Sequence, residues 1–413
     1  MYRMHKFFNS FFNKTIRTIN SKIKRDNQRG IIPVIIDCEL QTLNQYLEPV
    51  IEEMVKIKDK QYDFFFGETS GNSGSSYIYY NPENAFPVNF YPYIKGRAIF
   101  LSPHIYPKGP KNSFKIILDH AMCSAKFLYH PKQFYENYDL YFVTGKLNEE
   151  KVMMAIDKFG LQNKITVFKA GYPKLDKLLR GEMLSRNETL HKFGLNPLQK
   201  TILYAPSWED GLSMREFGID MVRTLLQDKT LNVIVKPHPC LLVSHEDSNY
   251  EFYTGGINWC ERFREFSNNS NFVFIDSYII DELLVIADIM VSDISSVSLE
   301  FLVLNKQVIY LDCPAFEKTF KIVYKDFNDI SYKDLLENPM CNGGRHVGLV
   351  NYDYRKILED VYFILDHPDY KLAERELYAD QLLSNKGCAS EKCAEAIVDY
   401  FNRHDFGVKK RRK

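Results

Sequence analysis

The sequence lacks several features that would fix its class at once. It contains no run of about 18 apolar residues, so no segment is long enough to cross a bilayer as a helix. Its eight cysteines form no Cys-x-x-Cys pair and no His/Cys group at zinc spacing, which argues against a structural zinc site. We therefore expect reduced, mostly buried thiols.

The sequence also lacks an excess of charge of either sign. Lysine plus arginine and aspartate plus glutamate each number 53, so the protein as a whole is not expected to bind nucleic acid or other polyanions. We found no internal repeat and no low-complexity segment. A length of 413 residues with 45% hydrophobic residues favours two domains, each with its own core.

Charge is nevertheless concentrated at both termini. Residues 1–30 carry eight basic side chains against one acid, and the last five residues are all basic. This pattern predicts an amphipathic basic helix that lies on an anionic membrane surface. A helix that packs on the protein's own surface is the alternative. The apolar positions recur every three to four residues: Phe7, Phe8, Phe11, Phe12, Ile16, Ile19 and Ile23.

Strand-like apolar segments alternate with helical patterns along the rest of the chain. This alternation predicts parallel sheets covered by helices on both faces. A boundary is expected near Asn196-Pro197, and residues 354–365 and 386–404 have long helical patterns that could cross back. The expected strands are residues 31–36, 62–66, 97–101, 114–118, 140–143 and 165–168, then 201–205, 232–235, 272–275, 288–291 and 308–311.

Two tandem α/β domains with returning helices describe the architecture of many nucleotide-sugar transferases. We predict a membrane-associating segment at residues 1–30 and a first Rossmann-like, acceptor-binding domain at 31–196. A second Rossmann-like, donor-binding domain follows at 197–385. A crossover helix and basic tail complete the chain at 386–413. In such folds ligands bind outside the carboxyl ends of the strands.

A Ser/Asp turn follows the expected strand at residues 288–291. It contains Asp293, Ser295 and Ser296, and a helical pattern begins at Val297. The free N–H groups and partial positive charge of a helix N-terminus can hold a phosphate. The alternative is that these side chains only cap the helix.

Polar residues also follow two other expected strands of the second series. Ser207 comes after residues 201–205, and Lys236 and His238 come after residues 232–235. Together with the Ser/Asp turn they would form one rim, suited to a pyrophosphate. A rigid Pro-His-Pro turn with a solvated imidazole is the alternative for His238.

In the first series, the expected strand at residues 114–118 runs into Asp119 and His120. A histidine there, facing the nucleotide half, is placed to act as general base toward an acceptor. His104 and His130 are rival candidates, and a purely structural histidine is the alternative for each of the three.

Three motifs together resemble the CDP-glycerol glycerophosphotransferase family of teichoic-acid and capsule synthesis: residues 203–208 (LYAPSW), 233–239 (VIVKPHP) and 287–297 (ADIMVSDISSV). Residues 171–176 and 281–284 resemble two further segments of that family. The resemblance covers roughly residues 115–312. It implies a GT-B fold with two Rossmann-like domains facing a cleft, peripheral association with the cytoplasmic membrane face, and transfer of glycerol or ribitol phosphate from a CDP-alditol.

The resemblance also implies roles for individual residues. His120 falls on the histidine of the family's Trp-His-Gly-Thr motif, its catalytic base, although this chain has Asp-His-Ala-Met there. His238 falls on the histidine of Arg-Pro-His-Pro, which acts on the phosphate side, with Lys236 in place of the arginine. Ser295 and Ser296 fall on the serines that border the CDP pyrophosphate.

The expected reaction is in-line displacement at the β-phosphorus of CDP-glycerol by a hydroxyl of a polymer or lipid-linked acceptor. No carboxylate cluster suggests a protein metal site, so we expect no cofactor beyond Mg²⁺ brought by the nucleotide. Two alternatives stay open. One is a glycosyltransferase that uses a nucleotide sugar on the same fold, and the other is a non-catalytic scaffold.

Overall fold

The structure, a computed structural model, describes residues 2–38, 44–69, 77–104, 108–123, 125–278, 280–324 and 330–403. The side chains of residues 2–11 and of Asn44 are not described. The basic tail and the expected membrane contacts of Phe7, Phe8 and Phe11 therefore lie outside the described side chains.

The first half of the chain forms a seven-stranded parallel sheet, sheet A. Helices cover both faces of this sheet, so side chains on both faces of its strands are buried and the strands are short apolar runs. Every residue of the first strand is buried. The order across the sheet is β3-β2-β1-β4-β5-β6-β7. The strands are β1 (Ile32–Cys38), β2 (Tyr62–Glu68), β3 (Ala85–Pro87), β4 (Ala98–Ser102), β5 (Ser113–Leu118), β6 (Leu140–Val143) and β7 (Thr166–Lys169).

The second half forms a six-stranded parallel sheet, sheet B, in the order β10-β9-β8-β11-β12-β13. Its central strands are likewise fully buried. The strands are β8 (Lys200–Tyr204), β9 (Leu231–Val235), β10 (Phe272–Phe274), β11 (Ile289–Ser292), β12 (Gln307–Leu311) and β13 (Leu349–Asn351).

Sixteen α-helices connect and cover the strands of the described residues. Several begin with local caps; Ser185, for example, exchanges hydrogen bonds with Glu188 in a capping box. The helices are α1 (Tyr2–Arg29), α2 (Asn44–Lys56), α3 (Lys132–Tyr135), α4 (Lys146–Phe159), α5 (Asp176–Leu179), α6 (Arg186–Lys192), α7 (Ser213–Leu225), α8 (Tyr250–Thr254), α9 (Trp259–Arg262), α10 (Asp281–Ile286), α11 (Val297–Leu302), α12 (Phe316–Val323), α13 (Tyr332–Glu337), α14 (Ile357–Asp366), α15 (Leu372–Leu382) and α16 (Ala389–Arg403).

The prediction of two tandem parallel α/β sheets is confirmed. All eleven expected strands are present, with ends that differ by at most two residues. The sequence analysis missed β3 and β13, which have only three residues each and lie at sheet edges. It also missed α12, α13 and α15, which lie in the region beyond Pro314 where only residues 354–365 and 386–404 were expected to be helical.

Helix α1 packs on the protein core over residues 12–23. Ile19 and Ile23 are completely buried against sheet A, and Phe12 and Ile16 pack on the same cluster. The ring of Phe12 makes an edge contact with Phe90 at 4.6 Å between centroids. Over residues 12–23 the alternative interpretation is therefore correct, because the fold itself covers this part of the apolar face. No helix in the described part of the chain is both long and apolar enough to cross a membrane.

The end of the chain returns to sheet A. Helix α15 contacts α4, and helix α16 packs on α2 with Cys393, Ile397 and Phe401 in the sheet A core. The carboxylate of Asp176 accepts hydrogen bonds from the backbone N–H groups of Ala389 and Ser390, at 3.0 and 2.7 Å. One buried side chain of the first half thus fixes the start of the last helix.

The two halves share an apolar core. One cluster of buried side chains contains Met122 and Tyr172 from the first half with Leu203, Met290 and Tyr310 from the second. This shared core brings the carboxyl ends of both sheets toward each other.

Candidate active site

The loops that follow β8, β9 and β11 lie side by side at one edge of sheet B. Hydrogen bonds continue from the strands into these loops, because Ala205 donates to Val291 and Lys236 donates to Tyr204 through the backbone, each at 2.9 Å. Backbone hydrogen bonds alone therefore fix the three loops relative to one another.

A cavity of about 550 Å³ lies between these loops and the first half of the chain. This volume is within the range of small-molecule sites, roughly 300–1,000 Å³. The cavity wall includes five residues expected from the sequence: His120, Lys236, His238, Ser295 and Ser296. The two candidate catalytic histidines, one from each half, thus face a single space.

The His120 ring is oriented by the main chain of its own half. Its Nδ1 lies 3.1 Å from the carbonyl oxygen of Pro103. A carbonyl can only accept, so Nδ1 must carry the proton, and in the neutral ring Nε2 keeps its lone pair. The side chain is 43% exposed, which leaves Nε2 accessible to a substrate hydroxyl.

The His238 ring has the opposite tautomer. The backbone N–H of Cys240 donates to His238 Nδ1 at 3.2 Å, so in the neutral ring Nε2 carries the proton and acts as a donor. Burial lowers the pKa of His238 to about 3, although the Glu209 carboxylate acts against this shift. The ring is therefore neutral at pH 7 in the free protein and presents an N–H group rather than a lone pair.

Two buried lysines bring positive charge to the cavity. Burial and the nearby Lys174 lower the pKa of Lys236 to about 8, and its Nζ donates to the carbonyl oxygen of Pro237 at 2.9 Å. Lys174 Nζ lies 2.7 Å from Glu300 Oε2 and 3.5 Å from Asp281 Oδ1. Burial alone would lower the pKa of Lys174, but these carboxylates outweigh burial and raise it.

Ser295 and Ser296 lie at the start of α11, on the cavity wall. No side chain in the described residues caps this helix. Its first N–H groups are thus not occupied by the serine or aspartate side chains that the capping alternative invoked.

Comparison with known proteins identifies the family. The sequence model of CDP-glycerol:poly(glycerophosphate) glycerophosphotransferases matches residues 129–340, just over half of the chain. The chain belongs to this family. It is 28% identical over 190 residues to a teichoic acid poly(glycerol phosphate) polymerase of Bacillus spizizenii, a match that covers 44% of this chain and 44% of the polymerase. The match thus spans less than half of that relative's length.

Solved structures share the fold across almost the whole chain. The wall teichoic acid polymerase TagF superposes with a TM-score of 0.62 at 15% identity, covering 97% of this chain and 96% of that one. A UDP-N-acetylglucosamine 2-epimerase superposes with a TM-score of 0.54 at 12% identity, covering 91% and 97% of the two chains. At these identities the likeness concerns the fold alone.

Two residues predicted for the donor site lie behind the cavity wall of this family member. Asp293 is buried and accepts hydrogen bonds from the backbone N–H groups of Ser207 and Ser213, at 2.9 and 3.2 Å. The Ser207 hydroxyl lies 2.9 Å from Lys126 Nζ and donates to Glu209 at 2.5 Å. Both side chains therefore fix the loop after β8 and do not line the cavity.

The rival histidines are placed differently from His120. His104 is only 3% exposed, with Nε2 at 3.5 Å from the Asp37 carboxylate, and burial lowers its pKa to about 3. His130 packs against the Phe127 ring at 4.5 Å between centroids. Neither residue lines the cavity described above.

The structure adds cavity residues that the sequence analysis did not select as site residues. Tyr46 and Lys174 come from the first half, and Tyr253, Tyr278 and Glu300 come from the second. Lys174 lies within the segment 171–176 that resembles the glycerophosphotransferase family, which was the available signal. Tyr46 had no comparable signal.

In the described residues, no group of three or more His, Cys, Asp or Glu side chains is arranged to hold a metal ion.

Proposed function

We propose that this protein transfers glycerol phosphate from CDP-glycerol to a hydroxyl group of a wall-polymer or capsule acceptor. The observation that carries the proposal is the pair of histidines in one cavity with opposite tautomers. One ring offers a lone pair and the other offers an N–H group, which are the two functions that transfer of a phosphoryl group to an alcohol requires.

In the proposed reaction His120 Nε2 takes the proton of the acceptor hydroxyl. The acceptor oxygen forms a bond to the β-phosphorus of CDP-glycerol as the bond from that phosphorus to the bridging oxygen breaks. CMP leaves with the bonding electrons, and the acceptor keeps the glycerol phosphate. Loose phosphoryl-transfer transition states need positioning and charge stabilisation more than covalent chemistry.

The phosphates of the donor are proposed to lie against His238, Lys236 and the start of α11. Burial of Lys236 leaves few competing water contacts, which strengthens its attraction to a phosphate. Binding of a dianion beside His238 would oppose the effect of burial and raise the pKa of that ring. His238 could then donate a proton or a strong hydrogen bond to the departing CMP.

The GT-B arrangement, with an acceptor domain and a donor domain facing a cleft, is part of the proposal. It is supported by the two parallel sheets and by cavity residues from both halves. We also propose peripheral binding to the cytoplasmic membrane face, where a lipid-linked acceptor would be found. The support is the basic character of residues 1–30 and of the tail. No cofactor is proposed beyond Mg²⁺ carried by the nucleotide.

A nucleotide-sugar glycosyltransferase is the second candidate, because the fold is shared with an enzyme of UDP-sugars. A donor panel distinguishes the two. The full chain is incubated with CDP-glycerol, CDP-ribitol and UDP-sugars plus a lipid-linked acceptor, and the products are identified by mass spectrometry. We expect CMP and an acceptor that is heavier by one glycerol phosphate. UDP and a glycosylated acceptor would replace our proposal with the second candidate.

A further inference from the structure

His120 lies in a bend of the loop that follows β5, not on a strand or a helix. The sheet therefore does not fix the position of this residue by itself. From one side it is held by Pro103, whose carbonyl oxygen accepts from the backbone N–H of His120 at 2.9 Å and lies 3.1 Å from Nδ1 of the ring. Both contacts use the same acceptor, so the other side of the residue needs a different support.

Tyr172 supports the other side. Its hydroxyl donates to the backbone carbonyl oxygen of His120 at 2.7 Å, and the tyrosine is only 2% exposed. Glu300 Oε1 is a more distant acceptor at 3.3 Å, and the other oxygen of that carboxylate accepts from Lys174. A hydroxyl has one proton, so the shorter bond takes it. Burial raises the pKa of Tyr172, with Tyr46 and Glu300 acting in the same direction, and the hydroxyl therefore remains a donor at neutral pH.

The position of Tyr172 is itself fixed by the fold. It follows Gly171, whose φ of +99° lies in the left-handed region that glycine tolerates. A Cβ at Gly171 would lie 2.4 Å from the carbonyl oxygen of Ser384, so this segment runs directly against the chain that leads to α16. The Tyr172 ring belongs to the core shared by the two halves. The hydroxyl is thus presented to the loop from a rigid support.

We propose that Tyr172 is the positioning residue of the candidate base. Its hydroxyl holds the His120 carbonyl and thereby sets where Nε2 stands relative to the acceptor hydroxyl. Tyr172 acts through His120 alone, since it does not line the cavity. A misplacement of about 1 Å at a reacting group can cost about a hundredfold in rate, so one hydrogen bond at this position affects turnover. This inference rests on the proposed transfer of glycerol phosphate with His120 as base.

Tyr172→Phe tests the proposal, because it removes the hydroxyl and keeps the buried ring. The full chain is assayed with CDP-glycerol and a lipid-linked acceptor. We expect kcat to fall at least about tenfold. The KM for CDP-glycerol should stay within about twofold of the wild-type value, because the lost bond does not touch the donor.

Tyr310→Phe is the matched control. The Tyr310 hydroxyl donates to the carbonyl oxygen of Gly343 at 2.7 Å, and the residue is fully buried in the same core without lining the cavity. This variant should lose a similar amount of thermal stability and keep the wild-type kcat. Equal losses of kcat in the two variants would make Tyr172 a merely structural residue and would overturn the proposal.

A double-mutant cycle separates action through His120 from any other effect. If Tyr172 acts through the base, Tyr172→Phe should have no further effect once His120→Ala has removed the ring. The rate that added imidazole restores in His120→Ala should also be the same with either residue at position 172. The proposal is overturned if Tyr172→Phe alone keeps the wild-type kcat, or if its full loss persists in the His120→Ala background.

Heteronuclear NMR of protein with isotope-labelled histidine gives a readout that needs no turnover. In the neutral ring of the wild type, His120 should show a protonated Nδ1 and an unprotonated Nε2. Tyr172→Phe loosens the backbone that carries the ring, so it should mix in the other tautomer, whereas Tyr310→Phe should not. If the wild type releases no CMP from CDP-glycerol with any acceptor, the proposed function fails. The spectra then decide the positioning role, and unchanged His120 signals in Tyr172→Phe would overturn it.

Discussion

Lys174 of the first half and Glu300 of the second form an ion pair with 2.7 Å between Nζ and Oε2, and both side chains are at most 7% exposed. The pair joins the segment after β7 to helix α11. Tyr172 extends the contact, because its hydroxyl donates to the carbonyl oxygen of His120 at 2.7 Å and lies 3.3 Å from Glu300 Oε1. The candidate base is therefore connected to the opposite half of the molecule through two buried residues.

Replacing Lys174 should destabilise the protein strongly. Lys174→Met leaves the buried Glu300 carboxylate and the partly exposed Asp281 carboxylate without their cation, and removing one partner of a buried pair costs about 3–5 kcal/mol. Urea unfolding measures the free energy of unfolding. The matched control is Lys192→Met, which removes an exposed pair with Glu282 and should cost at most about 1 kcal/mol. Equal losses in the two variants would contradict the assignment of Lys174 to the inter-half contact.

His120→Ala should lower turnover by about a hundredfold or more, the usual effect of losing a general base. CDP-glycerol affinity should change little, since His120 acts on the acceptor. Added imidazole should restore part of the rate, because a small base can enter the space left by the ring. His367→Ala removes an exposed histidine outside the cavity and should be fully active. Wild-type turnover in His120→Ala would exclude this residue as the base.

His238→Ala and Lys236→Ala should each weaken CDP-glycerol binding at least tenfold in calorimetry, because each removes a donor to the phosphates. Lys200→Ala removes an exposed lysine at the start of β8, paired with Asp288, and should bind normally. Normal affinity in both cavity variants would place the donor phosphates elsewhere.

Low pH should reduce the free energy of unfolding, partly through protonation of Glu209. Burial alone would raise the pKa of this carboxyl, but the Lys126 ammonium and hydrogen bonds from Lys126, Ser207 and Tyr324 lower it from 4.5 to about 2. The stabilisation is thus fully present above about pH 4.5 and is lost as the pH falls toward 2. Across this range the free energy of unfolding of Glu209→Gln should fall less than that of the wild type. Glu317→Gln, in an exposed pair with Lys321, should follow the wild type, and identical pH dependence in all three proteins would refute the prediction.

Two truncations should separate the two parts of α1. Removing residues 2–24 deletes Ile19 and Ile23, whose burial stabilises the fold by about 1.5–3 kcal/mol each, so the melting temperature should fall. Removing residues 2–11 should spare the fold and reduce co-sedimentation with phosphatidylglycerol vesicles, more so at low salt. If the variant that lacks residues 2–11 still pellets with the vesicles like the full chain, residues 2–11 do not mediate membrane binding.

The sequence was sufficient to predict the two parallel sheets, and it placed the candidate site at the sheet edge where the cavity lies. The strands of a parallel sheet covered on both faces are continuous apolar runs, and the residue after each run marks the carboxyl end. This reasoning selected His120, Lys236 and His238, which line the cavity between the two halves. The same reasoning also selected Ser207 and Asp293, whose side chains fix the loop after β8 and do not line the cavity. A polar side chain that bonds its own loop and one that faces a ligand occupy equivalent sequence positions.

Contacts between distant segments could not be predicted in the same way. Lys174 and Glu300 are 126 residues apart, and nothing in their local sequences indicates the pairing. Helix α1 shows a different limit of prediction from sequence. A stripe of apolar residues has the same spacing whether it faces a membrane or the protein core, so only the structure showed that residues 12–23 pack on sheet A.

The bonds from Asp176 to the first turn of α16 have a consequence for biosynthesis. Cys393, Ile397 and Phe401 complete the core of a sheet whose last strand ends at Lys169. On the ribosome, the first half must therefore wait for more than two hundred further residues before its apolar face is closed. During that interval the nascent chain is exposed to aggregation and to chaperones. A fragment that stops after α6 lacks α16, so part of the apolar face of sheet A would stay exposed and the fragment would remain prone to aggregation even with all of its strands formed.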